Sequence, residues 1–334
     1  MIGPMSPAEQ VEQIKAKALS LGFDLCGIAP AAPSQHADHL RAWLAAGRHG
    51  QMRYLADRAD ERADVRTYFP PARSVVCVAM NYHVPLADAD ADALPAGRVA
   101  RYALGDDYHE HIQKRLRTLA DWLRATWPGT QTKTAVDTAP VLERELAVRA
   151  GIGWQGKNTN VISPRIGSWI FLAEVLTSLD LPPDAPATDH CGTCTRCIDA
   201  CPTGAITRPY ELDATRCISY LTIEHRTDVP EELRSRTGDW VYGCDVCQDV
   251  CPFNGRAPAA TDPHLQPRLP TGRLDALAVA DWSLDDYHTA TRRSAMRRVK
   301  LPMFQRNART VLENAPANTP DAPKATLEPS RPGS

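Results

Sequence analysis

Apolar residues recur at helical spacing in several segments of the chain. Residues 8–21 predict an amphipathic helix that stops at Gly22, and residues 108–127 predict a longer one. Shorter helices are predicted near 37–46 and 140–150. The stripe expected to be buried in the longest helix consists of Ile112, Leu116, Leu119 and Leu123. These patterns predict helices that bury one face against a shared core.

Continuous apolar runs between these helices indicate strands. Such runs lie at 23–29, 74–81 and 132–137. Residues 160–163 and 168–176 predict a hairpin. Together the elements predict an α+β fold with an N-terminal, sandwich-like α/β domain over residues 1–183.

Proline-rich stretches divide the rest of the chain. Residues 182–186 contain three prolines and predict a linker. A second domain is expected over 184–257, and a helical, basic segment over 258–314. Residues 315–334 are rich in proline, alanine and serine and predict a disordered tail.

Composition narrows the functional classes. The chain has 334 residues and a net charge of −2, which gives no global sign of nucleic-acid binding but leaves room for a local basic patch. Residues 1–10 have neither a basic start nor an apolar stretch typical of an export signal, and no apolar run is long enough to span a membrane. We therefore expect a cytoplasmic protein whose thiols stay reduced.

Eight of the ten cysteines fall in two groups that each end in Cys-Pro. The first group is Cys191, Cys194, Cys197 and Cys201, and the second is Cys217, Cys244, Cys247 and Cys251. In two-cluster ferredoxins the cysteine before proline ligates the other cluster. We therefore expect one [4Fe–4S] cluster on Cys191, Cys194, Cys197 and Cys251, and another on Cys201, Cys217, Cys244 and Cys247. This cysteine layout predicts a ferredoxin-like domain that transfers electrons.

Other interpretations of these cysteines are weaker. Structural zinc favours paired Cys-x-x-Cys motifs without the shared Cys-Pro pattern, and disulfides need an oxidising compartment. The insertion between Cys217 and Cys244, with Tyr220, His225 and Arg226, is expected to face the first domain. The two remaining cysteines lie in apolar runs and are expected in the core; they are Cys26 and Cys77.

One glycine motif is misleading. Gly151, Gly153 and Gly156 match the dinucleotide-binding fingerprint in spacing. That fingerprint works between a strand and a helix, whereas here a helix precedes it and strands follow. Gly151 is better interpreted as the end of the preceding helix.

The chain resembles the epoxyqueuosine reductase family, the cobalamin-dependent iron–sulfur enzymes of tRNA queuosine synthesis. The resemblance covers residues 8–312 and lies in the cysteine layout and several short segments. These segments are residues 136–144, 153–158, 167–169, Arg101-Tyr102, residues 107–109, Ser294-Ala295 and Arg306-Asn307. Some members carry a C-terminal helical-repeat extension, and we expect this chain to be a short form without it.

The resemblance implies cobalamin that is bound by the N-terminal domain and reduced by the two clusters. A flavodoxin or ferredoxin system would supply the clusters with electrons. The implied reaction removes the epoxide oxygen of epoxyqueuosine in the tRNA anticodon loop and leaves queuosine. Asp107-x-His109 begins a cobalamin-ligand motif, but Ile112 stands where that motif requires glycine. No lower histidine ligand is evident, as in this family.

The resemblance also implies site residues. Asp137 is expected to be the general acid, kept protonated because burial raises its pKa; the alternative is a helix N-cap. Corrin contacts are expected from Arg62, Tyr102, Asp137, Lys157, Asn158, Ser168 and Ser219. Their alternatives are a solvated charge for Arg62, a core aromatic for Tyr102 and polar turns for Lys157 and Asn158.

A basic segment over 292–309 contains seven cations and no acidic residue. Those expected to contact tRNA phosphates are Arg292, Arg293, Arg297, Arg298, Lys300 and Arg306. The alternative is a solvated helix face.

Two rival functions remain open from the sequence. One is a cobalamin enzyme like the reductive dehalogenases that acts on a small molecule, and the other is a ferredoxin-type electron carrier. Bound corrin separates the carrier from both enzymes, and dependence on tRNA separates the two enzymes. We expect the protein to act as a monomer.

Overall fold

The computed structural model describes residues 5–87 and 96–315. Its strands are β1 (Leu25–Pro30), β2 (Ser74–Asn81), β3 (Ala96–Val99), β4 (Thr132–Ala135), β5 (Trp154–Gln155), β6 (Val161–Ile162), β7 (Ile170–Thr177), β8 (Ile206–Arg208), β9 (Glu211–Leu212), β10 (Trp240–Tyr242) and β11 (Arg273–Asp275). The helices of the first half are α1 (Pro7–Ser20), α2 (Ala37–Ala45), α3 (Arg53–Asp57), α4 (Ala59–Ala63), α5 (Val65–Tyr68), α6 (Tyr108–Thr126) and α7 (Glu143–Arg149). Those of the second half are α8 (Arg196–Asp199), α9 (Ile218–Ile223), α10 (Glu231–Arg234), α11 (Val246–Asp249), α12 (Ala276–Ala280), α13 (Leu284–Thr291) and α14 (Leu301–Asn314).

The first domain is built on a four-stranded antiparallel sheet in the order β1-β2-β7-β4. Every residue of β2 is buried because apolar side chains cover both faces of the sheet. One face packs against α1 and α6, and the other against α7. Cys77 is buried in this core and Cys26 packs against it, as predicted.

The predicted helices form within a few residues of their expected bounds. Ser6 and Glu9 form a capping box that starts α1. Asp107 caps α6 by accepting a hydrogen bond from the His109 amide, and the predicted apolar stripe of α6 is buried. Gly151 follows α7 with a φ of 71°, and β5 comes next, so the glycine motif lacks the strand-to-helix setting of a dinucleotide site.

The predicted hairpin is wrong. The two-residue strand β6 pairs with β5, whereas β7 pairs with β2 and β4 in the centre of the main sheet. Residues of β7 are apolar on both faces, which suits a central strand better than a hairpin edge.

The insertion between Cys217 and Cys244 does face the first domain. Its strand β10 pairs with β3 in a three-stranded sheet that β11 completes. The Tyr220 hydroxyl accepts a hydrogen bond from the Gln51 amide at 2.9 Å, and the Arg226 amide donates to Gln51 Oε1 at 2.9 Å. The cysteine-rich region is therefore joined to the first domain through main-chain pairing.

The C-terminal segment completes the main core. Phe304, Ala308 and Val311 of α14 belong to the same buried cluster as α1 and α6. Asn307 donates to the carbonyls of Thr222 at 2.8 Å and Val241 at 2.9 Å. The predicted disordered tail lies outside the described residues from 316 onward. Within the described ranges, no helix is both long and apolar enough to cross a bilayer.

Candidate active site

Asp137 occupies a strained loop directly after β4. Its φ is 48°, a left-handed conformation that is uncommon for residues other than glycine but is tolerated by aspartate. Its side chain is 47% exposed, although Val136 beside it is buried. The N-cap alternative is wrong, because Leu142 occupies that position of α7. The loop therefore presents the Asp137 carboxylate at the surface of the sheet domain.

His109 at the start of α6 is the principal partner of Asp137. Its Nε2 lies 3.0 Å from Asp137 Oδ2, and its Nδ1 lies 2.7 Å from Asp107 Oδ1. Partial burial opposes a charge on the ring, but the hydrogen bonds and charges of Asp107 and Asp137 outweigh it. They raise the pKa of His109 to about 9, so the ring is an imidazolium at neutral pH.

The expectation that Asp137 has a raised pKa is wrong for this structure. Burial does raise the pKa of Asp137, but hydrogen bonds from His109 and Tyr108 and the charges of His109 and Arg298 outweigh burial and lower it. The available proton therefore rests on His109. Sequence reasoning missed this role because Asp107-x-His109 was considered only as an incomplete cobalt-ligand motif.

Two further acids lie behind Asp137. Burial, followed by the charge of Asp137, raises the pKa of Glu143 to about 7, and the Asp137 amide donates a hydrogen bond to the Glu143 carboxyl. Glu174 on β7 has no exposed surface, and neither of its carboxyl oxygens has a hydrogen-bond partner among the described residues. Burial raises the pKa of Glu174 well above its ordinary value, and nearby Glu143 raises it further.

An open cleft flanks this group. It has a volume of about 520 Å³, and its wall includes His109, Val136 and Thr138. Lys114 and Arg117 of α6 line the same cleft. His109, the partner of Asp137, therefore forms part of the wall of this cleft.

The predicted cysteine ligands lie close enough for neighbouring thiols to shift one another's pKa, mainly within the two proposed sets. Burial raises the pKa of Cys197, and three neighbouring thiols raise it further; these belong to Cys191, Cys251 and Cys194. Burial also raises the pKa of Cys244, and the thiols of Cys217 and Cys201 add to this effect. Burial raises the pKa of Cys247 well above its ordinary value, Cys217 and Cys244 raise it further, and Cys197 of the other set adds a smaller effect. The fold therefore brings together cysteines that are distant in the chain.

Three predicted corrin contacts lie between the first domain and the cysteine loops. Lys157 Nζ donates to the carbonyls of Gly192 at 2.6 Å and Cys194 at 3.0 Å. Asn158 Nδ2 donates to the Cys247 carbonyl at 3.3 Å. The Ser168 hydroxyl accepts hydrogen bonds from the side-chain amides of Gln248 at 3.1 Å and Asn254 at 2.9 Å. In this structure these side chains hold the cysteine loops in place.

The other predicted corrin contacts lie in separate surroundings. Arg62 is 7% exposed and donates to the carbonyls of Tyr54 and Arg58, so the solvated-charge alternative is wrong. The Tyr102 hydroxyl donates to the Tyr242 hydroxyl at 3.2 Å. Ser219 lies on α9, and its amide donates a hydrogen bond to Cys217.

The basic segment divides into paired and unpaired cations. Arg298 pairs with Glu224 at 2.9 Å, and Arg293 pairs with Asp106 at 3.1 Å. The guanidinium of Arg306 donates to carbonyls of the insertion, including Leu221 at 2.7 Å, so its role is structural. Within the described ranges, four exposed cations of this segment have no side-chain partner; they are Arg292, Arg297, Lys300 and Arg309.

Comparison with known proteins gives two family matches. A model described as "Epoxyqueuosine reductase QueG, DUF1730" matches residues 62–138, and one described as "4Fe-4S double cluster binding domain" matches residues 190–254. The chain is 42% identical over 315 residues to epoxyqueuosine reductase of Gloeobacter violaceus, covering 91% of this chain and 96% of that protein. It is 40% identical over 324 residues to the Pseudomonas aeruginosa protein, covering 96% and 89%. The chain belongs to the epoxyqueuosine reductase family.

Solved structures of the family share this fold, and its members are oxidoreductases. An epoxyqueuosine reductase with an epoxyqueuosine-modified tRNA-Tyr stem loop superposes with a TM-score of 0.85 at 32% identity, covering 92% of this chain and 82% of that one. The Bacillus subtilis enzyme gives 0.85 at 30% identity with the same coverage. In that structure a catalytic loop named for an aspartate is swung out of the active site.

The residues present fit the groups that the family implies. In the described part of the chain, no three His, Cys, Asp or Glu side chains converge tightly enough to hold a single metal ion. Two sets of four cysteines suit the wider spacing of a four-iron cluster. Tyr54 offers a ring that is 44% exposed, and both Asp137 and Arg298 lie near enough to influence the pKa of its hydroxyl, which burial raises. The ring, with the Arg298 guanidinium 5.7 Å from its centroid, offers an aromatic surface and a hydrogen-bond donor to a macrocycle with amide side chains such as a corrin.

Proposed function

We propose that this protein reduces epoxyqueuosine to queuosine in tRNA, using cobalamin, two [4Fe–4S] clusters and a proton delivered by Asp137. The observation that carries the proposal is the 3.0 Å contact between His109 and Asp137 beside an open cleft. It places a charged proton donor behind an exposed carboxylate, in a chain whose relatives are epoxyqueuosine reductases.

We assign cobalamin to residues 1–183 and the two clusters to residues 184–257. Residues 258–314 form the C-terminal helical segment, which contains the basic segment over 292–309. One cluster is held by Cys191, Cys194, Cys197 and Cys251, and the other by Cys201, Cys217, Cys244 and Cys247. Cobalamin supplies a strongly nucleophilic reduced cobalt when bound, and the clusters supply its electrons singly.

The protein's own residues manage the protons. Removal of the epoxide oxygen as water, leaving an alkene, consumes two electrons and two protons. His109 passes its proton to Asp137, and neutral Asp137 protonates the departing oxygen, which would otherwise leave as a poor alkoxide. Glu143, whose pKa is raised to about 7, accepts a hydrogen bond from the Asp137 amide and holds the second proton. His109 then recovers a proton from water in the cleft.

The basic segment binds the tRNA backbone in this proposal. Arg292, Arg297 and Lys300 are exposed and free of protein partners within the described residues. They can therefore bind phosphates without breaking an ion pair within the protein. Arg293 and Arg298 can exchange a carboxylate for a phosphate, whereas Arg306 remains structural. The modified base must leave the anticodon stack to reach Asp137.

The test is a direct assay of the reaction. Cluster-loaded protein, cobalamin and a strong reductant are incubated with tRNA that bears epoxyqueuosine, and the digested nucleosides are weighed. We expect the loss of one oxygen only when cobalamin is present. An unchanged nucleoside, with clusters and corrin verified by spectroscopy, would overturn the proposal and direct the search to small-molecule acceptors.

A further inference from the structure

Trp154 on β5 carries a buried polar group without a partner. The side chain is 2% exposed, and its indole N–H has no hydrogen-bond acceptor among the described residues. An indole N–H can only donate, and buried donors without an acceptor are rare in folded proteins. The position therefore calls for an acceptor that the polypeptide does not provide.

The surroundings of Trp154 limit what that acceptor is. The ring meets Phe253 edge-to-face at 4.7 Å and His190 at 5.0 Å. Trp154 also packs in a small cluster with Ile162 and two cysteines, Cys251 and Cys191. These cysteines are far apart in the chain but belong to the same proposed set of four ligands.

We propose that the indole N–H of Trp154 donates a hydrogen bond to a sulfur of the [4Fe–4S] cluster held by Cys191, Cys194, Cys197 and Cys251, and raises its reduction potential. Negative charge on the cluster sulfurs grows when the cluster takes up an electron. A hydrogen bond to sulfur therefore stabilises the reduced form more than the oxidised form. Lys157 places a positive charge at the Cys194 carbonyl and acts in the same direction.

Among the described residues, no buried, unpaired tryptophan N–H lies beside the second set of cysteines. Trp240 packs beside Cys244, yet its indole N–H is not among the buried unpaired groups of the described residues. The two clusters are therefore unequal in their hydrogen bonding, and a change at Trp154 should affect only one of them.

The first test compares Trp154→Phe with Trp240→Phe. Both variants keep an aromatic ring and remove an N–H beside a cluster cysteine. Each is loaded with clusters, checked for iron and sulfide content, and titrated by potentiometry with EPR detection. We expect one cluster of Trp154→Phe to shift to a more negative midpoint, and Trp240→Phe to keep both midpoints. Fully loaded Trp154→Phe with two unchanged midpoints would overturn the proposal.

A second test does not depend on the loading of Trp154→Phe. Trp43 packs in the same apolar cluster as Cys217, so the sample is the double variant Trp43→Phe/Trp240→Phe with ¹⁵N in its indole rings. In this variant Trp154 is the remaining tryptophan, among the described residues, that packs with a cluster cysteine. Pulsed EPR of the reduced clusters should detect a ¹⁵N hyperfine coupling, and its absence would contradict the hydrogen bond. The inference rests on the cluster assignment of the proposed function but not on tRNA. A protein inactive on epoxyqueuosine could still show both signals, so the two failures are distinguishable.

Discussion

The Nε2 atom of His109 lies 3.0 Å from Oδ2 of Asp137, and the two residues carry opposite charges at neutral pH. The pair joins the first turn of α6 to the strained loop after β4. It stores a proton one hydrogen bond away from the exposed carboxylate of Asp137. The proposed chemistry depends on that stored proton.

Asp137→Asn should abolish turnover while clusters and cobalamin remain bound. The amide keeps the shape of the side chain but cannot relay a proton from His109. A loss of about 10²–10⁴-fold is expected for a general acid. The measurement is single-turnover conversion of epoxyqueuosine in tRNA, with absorption spectra to verify the cofactors. Wild-type turnover by this variant would remove Asp137 from the mechanism.

His109→Gln should slow turnover and remove a pH-dependent part of the stability. His109 binds a proton more tightly in the folded protein, with a pKa of about 9, than in the unfolded chain, where the ordinary value is 6.5. Its stabilising effect is therefore complete below pH 6.5 and disappears as the pH rises through 9. Unfolding midpoints of wild type and variant should differ at pH 6 and converge above pH 9, when they are measured at intervals of about one pH unit. A constant difference across this range would argue against the charged pair.

Relative to the wild-type protein, Glu174→Gln should raise the free energy of unfolding by an amount that grows with pH. The unfolded chain ionises Glu174 near 4.5, whereas the folded protein keeps it neutral well above that value. Folding therefore takes up a proton, and wild-type stability falls above the unfolded pKa by about 1.4 kcal/mol per pH unit. Relative to wild type, Glu174→Gln should gain stability between pH 5 and 7 in denaturant unfolding.

Glu145→Gln on α7 is the control for this comparison. Glu145 accepts hydrogen bonds from the Ser34 hydroxyl and, at 2.9 Å, from the Gln35 amide, so its neutralisation should destabilise the fold. If Glu145→Gln and Glu174→Gln change the free energy of unfolding in the same direction between pH 5 and 7, the neutral state of Glu174 is ruled out.

Joint replacement of Arg292 and Arg297 by alanine should weaken tRNA binding without affecting the fold. Each lost phosphate contact should reduce the slope of log affinity against log salt by about 1. Arg306→Ala should instead lower the free energy of unfolding by about 1–3 kcal/mol, because it leaves buried carbonyls unpaired. Binding titrations at several salt concentrations, with unfolding curves for both variants, separate these roles. An unaltered salt slope in the double variant would contradict tRNA contact by these residues.

Features set by local spacing could be predicted from the sequence. The apolar periods of α1 and α6 and the continuous run of β2 gave correct elements, because burial repeats with the geometry of the chain. The two sets of cluster ligands stay a prediction drawn from the spacing of the cysteines. The partner of β7 was not predictable, because its neighbours β2 and β4 are chosen by packing of the whole sheet.

The electrostatics of the site depended on contacts between distant segments. Nothing local to Asp137 shows that His109, 28 positions earlier, reverses the direction of its pKa shift. A row of cations likewise gives no sign that Arg306 is enclosed by carbonyls of the insertion. Glu174 stands among apolar residues of β7, and the sequence does not reveal that it lacks a partner.

The pairing of β10 with β3 has a mechanical consequence. The cysteine-rich region cannot swing away from the first domain without breaking main-chain hydrogen bonds of a sheet. In the proposed function, electrons would therefore pass from the clusters to cobalamin without a docking step between the two halves of the chain, because the sheet already holds the halves together.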